Sequence, residues 1–214
     1  MSEYNNINST EQTEPVTPKK KKNNSQNTIA SLLEYFEILV FSLSCVVLLF
    51  TFCVRLCEVS GGSMKTTLLD GEKLLVSNVF YEPECGDIIV FHQTGMYLNE
   101  PVVKRVIAVG GEKVQIDFDT WTVTVTDKDG NERVLEEDYA FFDPAMKSVY
   151  EVHRSDYDFS QPITVPEGYL FVMGDNRYNS LDSRFKDIGL VDERRVLGKV
   201  ICRLTPFEKM GTVE

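Results

Sequence analysis

A serine hydroxyl becomes a nucleophile only when a neighbouring base takes its proton, so a candidate serine has to be read together with a candidate base. Ser63 is the candidate here, in the stretch Val59-Ser60-Gly61-Gly62-Ser63-Met64-Lys65-Thr66-Thr67-Leu68. Two preceding glycines let the backbone turn tightly and bring the serine's own N–H toward a substrate carbonyl, as an oxyanion site requires. The same glycines also suit a plain turn joining a helix to a strand, and this segment alone leaves both readings open. The chain has two histidines, His92 and His153. Neither stands in a Ser/His/Asp arrangement, and both read as structural or surface residues.

Lys104 is the better base. In Val102-Val103-Lys104-Arg105-Val106-Ile107, strand alternation places it on the face of Val102 and Val106. A lysine buried among valines loses solvation, which brings its pKa from about 10.4 toward the 7 to 8 of a general base, at a cost on the order of 4 kcal/mol. A snorkelling lysine on an edge strand fits the same six residues. A third segment, Gly174-Asp175-Asn176-Arg177-Tyr178-Asn179-Ser180-Leu181-Asp182-Ser183-Arg184, gathers carboxylates, arginines and hydroxyls directly after the apolar run Tyr169 to Met173. Such a loop can hold polar groups in fixed geometry.

The elements that must position these residues read as mainly β. Leu74 to Val76, Asp87 to His92, Val102 to Val109, Thr122 to Thr126, Tyr169 to Met173 and Lys199 to Leu204 are rich in Val, Ile, Phe and Thr and bounded by turn residues. Asp129-Gly130 before Val134 and Leu135 predicts a hairpin. Residues 1–28 form a polar tail with Lys19 to Lys22 near its end, read as disordered. Residues 29–56 read as a transmembrane anchor, with no formal charge from Ile38 to Val54. Glu34 and Glu37 are expected at the interface or facing a partner, because a carboxylate in the hydrocarbon costs roughly 2.5 to 3.5 kcal/mol. The long tail and the lack of a small-x-small site favour an uncleaved anchor over a signal peptide. Four lysines before the span and only Arg55 close after it put the tail in the cytoplasm and the rest outside.

The net charge is -11, and from Glu58 onward there are 17 Lys and Arg against 28 Asp and Glu. A surface this acidic repels phosphate backbones and argues against a nucleic-acid partner. Cys45, Cys53, Cys57, Cys85 and Cys202 form no CxxC pair and have no histidine at metal-ligand spacing, so no metal site is expected. Cys85 and Cys202 could pair, although nothing in the local pattern brings them together.

The Ser63-Met64 turn, Gly86-Asp87-Ile88-Ile89-Val90-Phe91, Val103-Lys104-Arg105-Val106 with Gly110-Gly111-Glu112, and the 174–184 loop with Gly189-Leu190-Val191 follow one another in an order that resembles the boxes of bacterial type I signal peptidases, from about residue 29 to 204. The resemblance implies an antiparallel β catalytic core of residues 57–116 plus 167–214 behind one N-terminal transmembrane helix, with a variable β insertion at 117–166. It implies that Ser63 is the nucleophile, Lys104 the base, and Ser180 the hydroxyl that holds the lysine amine. Asp182 and Arg184 would form a supporting ion pair, and Asp175 and Arg177 would shape the loop. Val59, Met64, Leu68, Val90, Val102 and Val103 could line shallow apolar pockets.

The implied substrates are exported preproteins with small residues at the first and third positions before the cleaved bond. They would be cut without metal or organic cofactor at the outer face of a bacterial cytoplasmic membrane, and a contact with the export machinery is compatible. The nucleophile lies nine residues past Val54, at most about 30 Å of extended chain, so the site works near the bilayer. Three positions depart from the family pattern. Gly61 replaces a hydroxyl that gives some members a second oxyanion donor, Thr66 replaces a proline, and Tyr178 replaces an acid. Lysine at 104, where the eukaryotic secretory and archaeal enzymes have histidine, separates the chain from those types. A self-cleaving Ser/Lys peptidase and a catalytically dead peptide-binding scaffold are the competing readings. The insertion's Trp121, Tyr139, Phe141, Phe142, Tyr150 and Tyr157 read as packing residues.

Overall fold

The computed structural model describes residues 24–92, 100–147 and 154–213. The Lys19 to Lys22 tail, Tyr150 and His153 lie outside the described residues. The chain divides into two compact units, residues 1–45 and 46–214. The described part of the first belongs to helix α1, Asn24–Phe52. Within α1, Ile29–Thr51 has a mean hydropathy of 2.1 and is long and apolar enough to cross a membrane. Polar side chains in α1 bond to their own helix, Ser42 to the Leu39 carbonyl (3.1 Å) and Thr51 to that of Val47 (2.7 Å). The helix ends at Phe52, earlier than the expected residue 56, and Arg55 and Leu56 already belong to a strand.

The second unit is built on a seven-stranded antiparallel sheet. Its strands are β1 (Arg55–Glu58), β2 (Lys73–Ser77), β3 (Ile88–His92), β4 (Pro101–Ala108), β9 (Tyr169–Met173), β10 (Val191–Asp192) and β11 (Val196–Thr205), in the order β1-β2-β11-β3-β4-β9-β10. A second sheet holds β5 (Lys113–Asp117), β6 (Thr122–Thr126), β7 (Glu132–Val134) and β8 (Ile163–Thr164) in the order β7-β6-β5-β8. It therefore starts at Lys113, four residues before the expected start of the insertion. The β6–β7 hairpin turns through Gly130 at φ +90°, with the Asp127 carboxylate accepting from the N–H groups of Asp129 and Asn131 (2.9 Å each).

The large sheet is buried on both faces, which is why β3 reads as a continuous apolar run. Ile88 and Val90 join Met64, Leu68, Leu74 and Val103 in one cluster, while Ile89 and Phe91 join Val106, Leu170 and Val172 in another. A third cluster, with Ile107, Phe171 and Met173 on one side and Val114, Val123 and Val125 on the other, joins the two sheets. All five cysteines are free, so the Cys85–Cys202 pair does not form. The Cys85 thiol instead donates to the Ile107 carbonyl (3.0 Å).

Between Val196 and Gly198, β11 carries a register shift, and Gly198 sits at φ +148°. A β-carbon there would lie 2.6 Å from the Ser77 carbonyl carbon and 3.0 Å from Asn78 N. Gly198→Ala is expected to destabilise the fold by more than about 1 kcal/mol. A thermal melt of the full chain in detergent tests this, and an unchanged melting temperature would contradict it.

Candidate active site

The Ser63 turn hangs between β1 and β2 and is pinned at both ends. Val59 N–H donates to the Glu72 carbonyl (2.8 Å) and Gly71 N–H to that of Val59 (2.9 Å). Gly61, at φ +86°, spends its N–H on the Asp70 carboxylate (2.7 Å). Met64 and Leu68 are fully buried and draw the turn into the core, and Leu68 N–H closes onto the Met64 carbonyl (2.8 Å).

Lys104 pairs with Ile89 on β3, stands just before β4 begins to pair with β9, and is 3% exposed. Its side chain is buried and does not snorkel to solvent. Its Nζ is 2.7 Å from Ser63 Oγ and donates to the Val103 carbonyl at 3.1 Å. Burial pulls its pKa down from the ordinary 10.5 to about 8; Asp182 and Asp175 push it back up, and Arg184 opposes them. The two groups identified from separate segments are thus one hydrogen-bonded pair, poised for proton transfer from hydroxyl to amine.

The loop after β9 surrounds this pair with buried charges that cancel. Arg184 grips Asp182 through Nε and Nη2 (2.8 Å each), both side chains being fully buried, and donates Nη1 to the Arg177 carbonyl (3.0 Å). Burial alone would raise the Asp182 carboxyl, but Arg184 and the Gly174 N–H hold it below the usual carboxylate range. Asp175 accepts two bonds from Arg105 (2.9 and 2.8 Å) and a third from Thr67 Oγ1 (2.6 Å). Arg177 forks onto Glu137, with both bonds at 2.7 Å.

Several expected roles come out differently. The Ser180 hydroxyl is buried and does not bond the amine of Lys104, which is held by Val103 and Ser63 instead. Ser180 Oγ packs against Gly174, where a β-carbon would collide with it and with the Ser63 carbonyl oxygen. Beside the pair lies a cleft of about 220 Å³ lined by Val59, Ser60, Met64, Pro101, Val102 and Val103, with Glu100 and Leu181 at its walls. Leu68 and Val90 are absent from this lining because both are wholly inside the core cluster beneath it.

Arg105, Glu137, Tyr139 and Asn176 carry site contacts that were not anticipated. Arg105 had a visible signal, a second cation on a strand bound for the core. Glu137 had none, because its partner is 40 residues away. The Arg105 guanidinium also stacks 3.8 Å from the Tyr139 ring centre.

Comparison with known proteins gives a consistent result. A family model described as signal peptidase, peptidase S26, matches residues 32–205. Signal peptidase I of Bacillus licheniformis is 34% identical over 194 residues, 89% of this chain and 96% of that protein. Signal peptidase IB of Staphylococcus aureus is 32% identical over 83% of this chain and 92% of its own length. A crystal structure of a signal peptidase I from Enterococcus faecalis is 30% identical, covers 56% of this chain and 97% of its own, and aligns with a TM-score of 0.38.

Because Lys104 titrates lower folded than unfolded, the unfolded chain binds one more proton between pH 8 and 10.5, and folding stability rises with pH across that window. Relative to Lys104→Met, the wild-type protein is expected to gain about 3 kcal/mol from pH 8 to 10.5, at 1.36 kcal/mol per pH unit. Urea unfolding of both proteins at the two pH values measures this. Parallel stability profiles would show that Lys104 is not held neutral by burial.

Proposed function

The chain belongs to the peptidase S26 family of signal peptidases, and on that premise we propose that Ser63 and Lys104 are its catalytic pair, working on exported preproteins at the outer face of a membrane. The enzyme is a serine endopeptidase that removes signal peptides. The observation that carries the residue assignment is the 2.7 Å contact between a buried, neutral-leaning amine and the serine hydroxyl.

Ser63 Oγ attacks the scissile carbonyl carbon while its proton passes to Lys104 Nζ. The resulting oxyanion faces the Ser63 N–H. Collapse breaks the peptide C–N bond, Lys104 returns the proton to the leaving amine, and the signal segment stays on Ser63 as an ester. A water then gives its proton to Lys104 and attacks the ester carbonyl; collapse breaks the bond to Ser63 Oγ, Lys104 returns the proton to that oxygen, and the acid leaves.

Substrate binding follows from strand pairing. On the β9 side, β4 is paired only from Arg105 onward, while Pro101 to Lys104 pair with β3 alone. That half of β4 leaves an edge open beside the cleft and the Ser60 to Met64 turn. An extended peptide adds there as a strand, and its alternate side chains fall into the shallow apolar cleft, whose volume suits alanine-sized residues at the first and third positions before the bond. The apolar helix anchors the chain in a single pass with the N-terminus in the cytoplasm, in keeping with four lysines before it and Arg55 alone soon after it. A peptide-binding scaffold would need neither the contact nor the lowered amine pKa.

Ser63→Ala and Lys104→Met are each expected to abolish preprotein cleavage by the full chain in detergent while the melt stays cooperative. Wild-type kcat/KM is expected to rise with pH around a midpoint near 8, the value of the Lys104 amine. A penem acylating reagent is expected to label Ser63. Substantial activity in Lys104→Met, or no labelling of the wild type, would sink the assignment.

A further inference from the structure

Asn176 has no part in the mechanism above, yet it touches both peptide groups of the nucleophile. Its side-chain Nδ2 donates to the Gly62 carbonyl (3.0 Å), and its backbone N–H donates to the Ser63 carbonyl (2.9 Å). The Gly62–Ser63 peptide is trans, so fixing its carbonyl toward Asn176 turns the Ser63 N–H to the opposite side. Among the described residues that N–H donates to nothing. It is the donor left for an oxyanion, since Gly61 has no side chain and its own N–H is bound to Asp70.

The amide of Asn176 is only half satisfied. The residue is 1% exposed, and its Oδ1 is buried without a partner. An unpaired buried acceptor is costly, and an apolar side chain would avoid the cost. What the amide supplies is the bond to Gly62.

Asn176 is itself held from behind by the insertion. Phe141 forms a bridge with it, donating its N–H to the Asp175 carbonyl (2.7 Å) and accepting from Arg177 N–H (2.8 Å). That stretch is fastened by the Glu137–Arg177 fork, by the Tyr139 hydroxyl donating to Glu137 (3.1 Å), and by packing of Phe142 with Trp121 and Tyr178. We propose that Asn176 is a positioning residue that aims the Ser63 N–H at the oxyanion, and that residues 137–142 of the insertion act through it. The proposal rests on Ser63 being the nucleophile.

The test uses the full chain in detergent and the variants Asn176→Ala, Asn176→Asp, Glu137→Ala and the Asn176→Ala/Glu137→Ala double variant. The readouts are kcat and KM on a signal-peptide substrate, the pH profile, and inhibition by a peptide aldehyde that Ser63 converts to a tetrahedral adduct. Both Asn176 variants are expected to lower kcat roughly 10- to 100-fold, because a misdirected oxyanion donor loses much of its effect. KM should stay within about threefold, the pH midpoint should not move, and aldehyde affinity should fall in parallel with kcat. Glu137→Ala should lower kcat less, and the double variant should be no worse than Asn176→Ala alone.

Retained kcat, a loss confined to KM, a displaced pH midpoint, or failure of both Asn176 variants to fold would each overturn the positioning role. Additive losses in the double variant would remove the insertion from it. Should Ser63→Ala remain active, the nucleophile assignment falls first. Should Ser63→Ala be dead and Asn176→Ala unimpaired, only the present proposal fails.

Discussion

The structure turns on lowering the pKa of one amine inside a β-sheet. A buried ammonium is costly, and that cost brings Lys104 down to about 8, where the free base needed for catalysis becomes available. Desolvation can dominate only if the surrounding charges largely cancel, and they do. Asp182 is matched by Arg184, Asp175 by Arg105 and Glu137 by Arg177, each through a two-point grip or its equivalent. Asp182 and Asp175 both favour the charged amine and Arg184 opposes them, so loss of Arg184 would favour the charged form further. The ion pairs around the site therefore serve the base more than the stability of the fold, in keeping with the small net gain usual for buried pairs.

That requirement also explains what could be read from the chain beforehand. Lys104 between Val102 and Val106 already carries the conflict between a cation and a buried strand, and in the structure that conflict appears as a lowered amine pKa. The Asp182–Arg184 pair lies within three residues, so it is visible locally. Glu137 and Arg177 meet only because the second sheet returns the chain to the catalytic loop, and no spacing along the sequence records this. Strands with clear alternation or apolar runs, such as Thr122–Thr126 and Tyr169–Met173, match their expected bounds. Arg55–Glu58 and Lys113–Asp117 do not read as strands because at least half of their residues are charged or polar, and pairing with β2 and β6 decides their conformation.

The pocket residues show a subtler limit. Alternation tells which residues point inward, but not whether inward means the core or a cleft. Val59, Met64, Leu68, Val90 and Val103 all belong to one apolar cluster. Val59, Met64 and Val103 also border the cleft, whereas Leu68 and Val90 lie wholly beneath it. Ser180 poses the same problem for polar groups. Its hydroxyl lies against Gly174 beside the Ser63 carbonyl and does not bond the Lys104 amine. Proximity was legible, while the direction of one hydroxyl depends on a rotamer that sequence does not encode.

Two of the three departures from the family pattern, at Gly61 and Tyr178, acquire a common sense once the insertion is seen against the loop. Tyr178, standing where an acid is usual, packs on Trp121 and Phe142, so an aromatic contact fastens the loop at that point. With glycine at 61 and its N–H bound to Asp70, the proposed oxyanion side has the Ser63 N–H as the donor that must be aimed well. A single donor tolerates less misalignment than two, because nothing compensates when it turns away. The turn bearing it is accordingly held from several directions: by Asp70 at Gly61, by the buried Met64 and Leu68, by the bond between Thr67 and Asp175, and by Asn176 at both peptides of the nucleophile. Having a single donor at the active site and stiffening the backbone that carries it are, on this reading, two parts of the same adaptation.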